Sequence, residues 1–339
     1  MLHSCFLPII VLIVLITQSQ AAANGKTSTI DEPDDVDPAE DVENLKNAMK
    51  GWGTNEQTII DILTHRSYNN RLKIGTLYQA TYSDSLWEDI KSETSGDFRT
   101  ALKALVLTEA RFFAEEMRNA MRGWGTNEDT LLLCLMLTVN DHLTVQGMKD
   151  YYQSIYDRNL QDDIEDETGT PFKEFLVEVL NRPKFNESAE LDEIAVTADL
   201  SDIQEFIEDK KVLDIVYLVT TRSLSHLAML QEKYYQSEGI ELIETLDEIS
   251  DHHVRDGLIS FMSVATDFYR YCADELHNAM DQGHGTEEGV LTRIIATRAD
   301  KDLATIKDMY FEMFGETLSK AVQDDTSGDY EKTLISLIN

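Results

Sequence analysis

The sequence predicts an all-α protein made of four repeats of about five helices each. Three observations lead there. A glycine-rich phrase recurs at repeat-length intervals, starting at residues 49, 121 and 281. Apolar residues fall at helical spacing in short amphipathic segments. The chain of 339 residues has only five prolines and is rich in Leu, Ala and Glu, which suits helices.

The phrase reads Met49-Lys50-Gly51-Trp52-Gly53-Thr54, then Met121-Arg122-Gly123-Trp124-Gly125-Thr126, then Asp281-Gln282-Gly283-His284-Gly285-Thr286. The gap of 160 residues between the last two starts leaves room for a worn fourth copy. Paired glycines allow a tight bend with outward carbonyl oxygens. Thr54 is read as the N-cap of the next helix, with Gln57 completing a capping box. An acid tracks the phrase. Glu93 lies 40 residues after Gly53, and Asp325 lies 40 residues after Gly285. Outward carbonyls plus a carboxylate are hard oxygen donors of the kind Ca²⁺ takes.

These loops and acids, in a four-repeat array, resemble those of the annexin family, and the resemblance covers about residues 40–339. It implies four repeats arranged as a curved disc, Ca²⁺ as the bound ion, and attachment to acidic phospholipid membranes. It also implies weaker accessory ion sites at Thr54/Glu56, Thr126/Glu128 and Thr286/Glu287.

At the amino end, Phe6 through Ile16 form an apolar run, and Ala21-Ala22-Ala23 supplies a small-residue cleavage site. Residues 1–23 therefore read as a secretory signal, too short for a comfortable membrane span, although no basic residue precedes the run. Annexins usually lack such a leader, so the expected address is secreted or at an outer surface, peripherally bound to membrane. The cytoplasmic membrane face is the expectation if the leader is not used. Residues 24–39 carry many acids and little apolar surface, and read as a flexible acidic tail.

Repeat one is placed at 40–110. Ile59, Ile60, Ile62 and Leu63 mark a helix face after the loop, and Leu86 and Ile90 place Glu93 at a helix end. Repeat two is placed at 111–182. Pairing Leu86 with Leu160, Ile90 with Ile164 and Phe98 with Phe172 gives Glu167 as its acid, with Asp166 as the alternative. A fixed offset from the loop would choose Glu165 instead. The helix register decides, because a helix must keep its buried face; it requires two residues inserted between 138 and 160. Residues 183–266 hold a linker and repeat three. Arg222 fixes its frame against Arg66 and Arg298. In that frame Ile207, Glu208, Asp209 and Lys210 stand in the loop and Ile249 stands at the acid. The unit should fold without binding an ion there; a remodelled site would use Asp209 or Asp251. Repeat four is placed at 267–339, with a longer loop in which Asp281 takes the first carbonyl position.

The expected metal-binding residues are thus Met49, Gly51, Gly53 and Glu93; Met121, Gly123, Gly125 and Glu167; and Asp281, Gly283, Gly285 and Asp325. Three carbonyls and a bidentate carboxylate give five oxygens where Ca²⁺ prefers six to eight. The open positions suit a water or a phosphoryl oxygen. Trp52 and Trp124 at the loop tips are expected to contact the membrane interface.

The formal net charge is −34. No basic surplus exists to neutralise nucleic-acid phosphates, so nucleic acid is excluded as a partner. The same charge repels an anionic membrane unless a cation intervenes. No catalytic arrangement is identifiable, and His252-His253 reads as a solvated pair, so the expected function is binding. The competing reading is a secreted scaffold or surface receptor that holds a protein partner without calcium, through the acidic tail or repeat three. Cys134 and Cys272 are expected as buried thiols or as a pair. Asn186-Glu187-Ser188 is a glycosylation sequon, meaningful if the chain is exported.

Overall fold

The computed structural model describes residues 27–51, 53–123, 125–280 and 285–339. The leader 1–23, Trp52, Trp124, Asp281 and Gly283, on which expectations fall, lie outside the described residues. Among the described residues the secondary structure is helical, with no strand.

Repeat one contains α1 (Pro38–Ala48), α2 (Glu56–Thr64), α3 (Tyr68–Tyr82), α4 (Leu86–Glu93) and α5 (Gly96–Val106). Repeat two contains α6 (Glu109–Ala120), α7 (Glu128–Thr138), α8 (His142–Tyr156), α9 (Leu160–Glu167) and α10 (Phe172–Leu180). Helix α7 has 11 residues where α2 has 9, so the two-residue insertion lies at the end of α7. From α8 onward the registers of repeats one and two match.

Repeat three contains α11 (Glu193–Glu208), α12 (Val212–Thr220), α13 (Leu224–Glu238) and the five-residue α14 (Leu242–Leu246). Helix α15 (His252–Met280) closes repeat three and opens repeat four. It breaks at Asp267, whose backbone is extended (φ −157°, ψ 99°). The Asp267 carboxylate accepts from the amides of Tyr269 at 3.0 Å and Arg270 at 3.1 Å, capping the second half. Repeat four continues with α16 (Glu288–Arg298), α17 (Leu303–Phe314), α18 (Leu318–Asp325) and α19 (Gly328–Ile338).

The chain groups into two compact units, one running up to Leu107 and resuming over Ala273–Asn339, the other spanning Thr108–Cys272. In the first, Leu45, Ile59, Leu63, Ile74, Tyr78 and Ile90 are fully buried. Arg71, 2% exposed, donates to the Leu105 carbonyl at 2.8 Å and pairs with Asp300 at 2.6 Å, tying repeat one to repeat four. In the second, Phe175 meets Phe261 edge-on at 6.2 Å, joining repeats two and three. Cys134 and Cys272 are buried thiols, not disulfide-bonded.

The acidic segment corrects one expectation. From Thr27 it is not a free tail. The Thr29 amide donates to the Ala299 carbonyl at 2.9 Å, and the Ala304 amide donates to the Thr27 carbonyl at 3.1 Å. Ile30 is buried. Glu32 accepts from the Ser67 amide and the Asn70 side chain, each at 2.8 Å, at the start of α3. A carboxylate is favoured at a helix N-terminus, so an acidic composition did not prevent docking. Asp37 then caps α1.

Candidate metal centre

Each intact loop is a closed clasp between two helices. The Asn55 amide donates back to the Ala48 carbonyl at 2.8 Å, and Asn127 does the same to Ala120 at 2.9 Å. In repeat four the Glu287 amide reaches the Ala279 carbonyl at 2.9 Å. The last clasp spans one more residue, so the fourth loop is longer, as its displaced Met280 suggested. Met49 and Met121, both buried, follow the last residues of α1 and α6 at the loop entrances.

Gly51 and Gly53 have φ +101° and +88°, and Gly123 and Gly125 have φ +110° and +87°. Gly285 has φ +114°. A Cβ added at any of the five would meet nothing within 4 Å. Backbone conformation, not crowding, therefore requires glycine here, and the space beside the loop is open to a ligand.

The structure brings the distant acid to two of the loops by a side-chain hydrogen bond, and to the third by its backbone. The Thr54 hydroxyl donates to Glu93 Oε2 at 3.0 Å. Thr286 donates to the Asp325 carbonyl at 3.0 Å and, more closely, to Asp325 Oδ2. Thr126 donates to the Glu167 carbonyl at 3.0 Å. Glu167 thus occupies the position of Asp325 relative to its threonine. Glu165 instead accepts from Gln161 at 2.6 Å along the outer face of α9.

This use of threonine corrects a second expectation. The N-cap of α2 is Asn55, whose side chain accepts from the Thr58 amide at 3.2 Å. Asn127 caps α7 in the same way at 2.8 Å. Gln57 does not complete a capping box; it donates to Asp61 at 2.7 Å. With the neighbouring Asn capping, the threonine hydroxyl is free to hold the acid side.

Glu93, Glu167 and Asp325 are each the last residue of their helix. A helix C-terminus carries partial negative charge, so an anionic side chain there is disfavoured. The loop begins where α1 or α6 also ends, bringing a second set of helix-end carbonyls. Two helix C-termini and a carboxylate make a local negative field that a cation relieves. Among the described residues no three His, Cys, Asp or Glu side chains converge on one metal position. The donors are mainly backbone carbonyls, which fit a hard, oxygen-seeking ion better than zinc.

A polar triad missed by sequence reasoning fastens loop helix to acid helix. Lys46, in the last turn of α1, pairs with Asp89 of α4 at 2.8 Å, and Tyr78 of α3 donates to the same carboxylate. Arg118, Asp163 and Tyr152 repeat it, with Arg118 to Asp163 at 2.7 Å. The acid of the triad lies one turn before the site acid, so the triad sets where Glu93 and Glu167 sit. Burial would raise the Asp89 carboxyl, but hydrogen bonds from Lys46 and Tyr78 outweigh it and hold it below the usual range. The hydrogen bond to Asp89 in turn holds Lys46 above the ordinary lysine range. Matching offsets of Lys46 with Arg118, Tyr78 with Tyr152 and Asp89 with Asp163 were the available signal. In repeat four the position of Asp89 is Ala321, and His277 instead faces the Tyr310 hydroxyl at 3.4 Å.

Repeat three has neither half of the site. The link from α11 to α12 is short, with the Lys211 amide donating to the Phe206 carbonyl at 2.8 Å. Lys211 Nζ pairs with Glu205 at 2.8 Å and Asp209 at 2.9 Å. An ammonium of the chain's own supplies positive charge at this loop. Helix α14 ends at Leu246, so Ile249 follows it in irregular backbone. Asp251 accepts from the Val254 amide at 3.3 Å, at the start of α15. Asp209 and Asp251 are therefore committed elsewhere.

A helical repeat array with glycine clasps, each closed on a remote acidic residue through its side chain or backbone, defines a class of oxygen-donor cation-binding proteins. The chain belongs to the annexin family: the annexin family profile matches residues 40–105, 112–179 and 271–337. These are the segments that hold the three loop phrases. Rabbit (Oryctolagus cuniculus) annexin A8 is 33% identical over 304 residues, covering 89% of this chain and 92% of that protein. The structure of annexin III superposes with a TM-score of 0.86 at 30% identity, covering 93% of this chain and 97% of that one. A structure described as calcium-bound annexin (Sm)1 gives a TM-score of 0.77 at 29% identity, covering 92% of this chain and 93% of that one.

Proposed function

We propose that this annexin binds Ca²⁺ in repeats one, two and four and uses it to attach peripherally to acidic phospholipid surfaces. The observation that carries the reading is the closure of each glycine loop on its remote acid through Thr54, Thr126 and Thr286. Met49, Gly51, Gly53 and Glu93 would hold the first ion. Met121, Gly123, Gly125 and Glu167 would hold the second, and Asp281, Gly283, Gly285 and Asp325 the third. The calcium-bound relative supports the choice of ion.

Each set supplies fewer oxygens than Ca²⁺ prefers, so phosphate oxygens of a headgroup complete the shell. With an ion held there, a chain of net charge −34 could approach an anionic surface. Ion and lipid raise each other's affinity by the same factor. Trp52 and Trp124, each between the paired glycines of its phrase in the sequence, would enter the interface beside the ion. No helix among the described residues is long and apolar enough to cross a membrane, which accords with peripheral attachment. The role is binding, not catalysis. The apolar run from Phe6 to Ile16, read as a leader, supports a site of action outside the cell or on an exposed surface.

Sedimentation with phosphatidylserine vesicles tests this. Binding is expected to require calcium and to reverse with chelator. Binding that persists in chelator would overturn the bridging mechanism and favour the calcium-independent scaffold.

A further inference from the structure

We propose that Asn186 carries an N-linked glycan, at the end of repeat three opposite its loop. The inference rests on the export reading above. Asn186, Glu187 and Ser188 lie between α10 and α11, and Asn186 and Ser188 are exposed. The Ser188 amide donates to Asn186 Oδ1 at 3.2 Å, and the Ala189 amide donates to the Asn186 carbonyl at 3.0 Å. The sequon therefore forms a tight surface turn in the folded protein.

The turn is pinned before and within it by contacts that spare the asparagine. Before it, Arg182 donates to the Arg222 carbonyl at 2.7 Å and stacks over Phe185 at 4.6 Å. Within it, Glu187 turns inward and accepts from the Ser225 amide at 3.0 Å and hydroxyl at 3.2 Å. The middle residue of the sequon thus supplies the anchor, and the outer two face solvent. A sugar at Asn186 displaces no packing contact.

These anchors fix the position of the turn in the repeat. Arg222 and Ser225 follow the carboxyl end of α12, while the repeat-three loop at Lys211 precedes its amino end. Nine helical residues separate them, roughly 13 Å at 1.5 Å per residue. A bulky hydrophilic group here extends from the end of the unit away from that loop.

The reaction needs a lipid-linked oligosaccharyl diphosphate as donor. The Asn186 Nδ2–C1 bond forms, the C1–oxygen bond to the diphosphate breaks, the lipid diphosphate leaves, and the amide nitrogen loses one proton.

The test expresses the full chain in a eukaryotic secretory host, once with its own leader and once with residues 1–23 replaced by an established cleavable leader. The expected result is protein in the medium from both, with a mobility shift removed by peptide N-glycosidase and absent in Asn186→Gln and in Ser188→Ala. Both replacements are at exposed positions, so folding is retained. Vesicle sedimentation is expected to be unchanged, within twofold, after glycan removal. Protein secreted with its own leader but showing no glycosidase-sensitive shift overturns the glycan while leaving export standing. Protein that reaches the medium only with the substituted leader overturns export, and with it the glycan on the natural chain.

Discussion

Replacing Glu93 by Gln and Asp325 by Asn in one chain is expected to raise the calcium concentration for half-maximal vesicle binding by at least roughly 10–100-fold. That range is the usual loss when only an outer-shell partner of a metal ligand is removed, and these groups are assigned to the ion itself. Each replacement is nearly isosteric, and its amide oxygen still accepts from Thr54 or Thr286. The loops should stay closed while the charge is lost. Calcium affinity follows ligand charge, and each site has a single carboxylate, so no second anion compensates. Ile249→Gln, at the matching position of repeat three, is the control and should shift the midpoint less than twofold. Vesicle sedimentation across a calcium series reads both. Equal effects at the two kinds of position would contradict the assignment of the acids.

Asp163→Asn is expected to cost about 2–3 kcal/mol of stability. The Asp163 side chain is 3% exposed and accepts from Arg118 at 2.7 Å and from Arg158 and Tyr152. Breaking a buried ion pair on one side strands its partner, at about 3–5 kcal/mol; Arg118 keeps some solvent, which lowers the figure. At roughly 2–4 °C per kcal/mol for a domain of this size, melting should fall by about 5–10 °C. Burial pushes the Asp163 carboxyl upward, but the hydrogen bonds from Arg158 and Tyr152 and the nearby guanidinium charges outweigh it, so the folded value lies below the usual range. The unfolded chain then binds the proton more readily. This stabilisation is full above the unfolded carboxylate value near 4 and is lost as pH falls through the lower folded value. Thermal melts followed from neutral to acid pH should show a shallower acid loss in the variant. Parallel curves would mean that the triad is not what holds α9 in place.

The loops were legible because their requirement is local. A positive φ at Gly51, Gly53, Gly123 and Gly125 leaves few residue choices, so the phrase survives in sequence. The place of Glu167 at the end of α9 was legible because the buried face of that helix must keep its register even where α7 has grown. The role of Thr54 was not legible. Thr54 and Asn55 are both good caps, and only the fold shows that the asparagine caps while the threonine reaches an acid 39 residues away. The acidic segment misled for a related reason. Composition averages over it, whereas docking depends on Ile30, two backbone hydrogen bonds and the placement of Glu32. In repeat three the loss of glycines and acid was plain, but its replacement by Lys211 between Glu205 and Asp209 depends on side-chain approach across a turn. The Lys46–Asp89–Tyr78 triad spans three helices and emerges only when repeats are aligned on structure.

We propose that the loops of repeats one, two and four hold calcium and that the loop of repeat three does not. Diffraction from crystals grown in calcium measures it most directly. Ion density is expected beside Glu93, Glu167 and Asp325, ligated by the glycine-loop carbonyls, with none between Lys210 and Ile249. Density at none of the three acids, or an ion seated in the repeat-three loop, would contradict it.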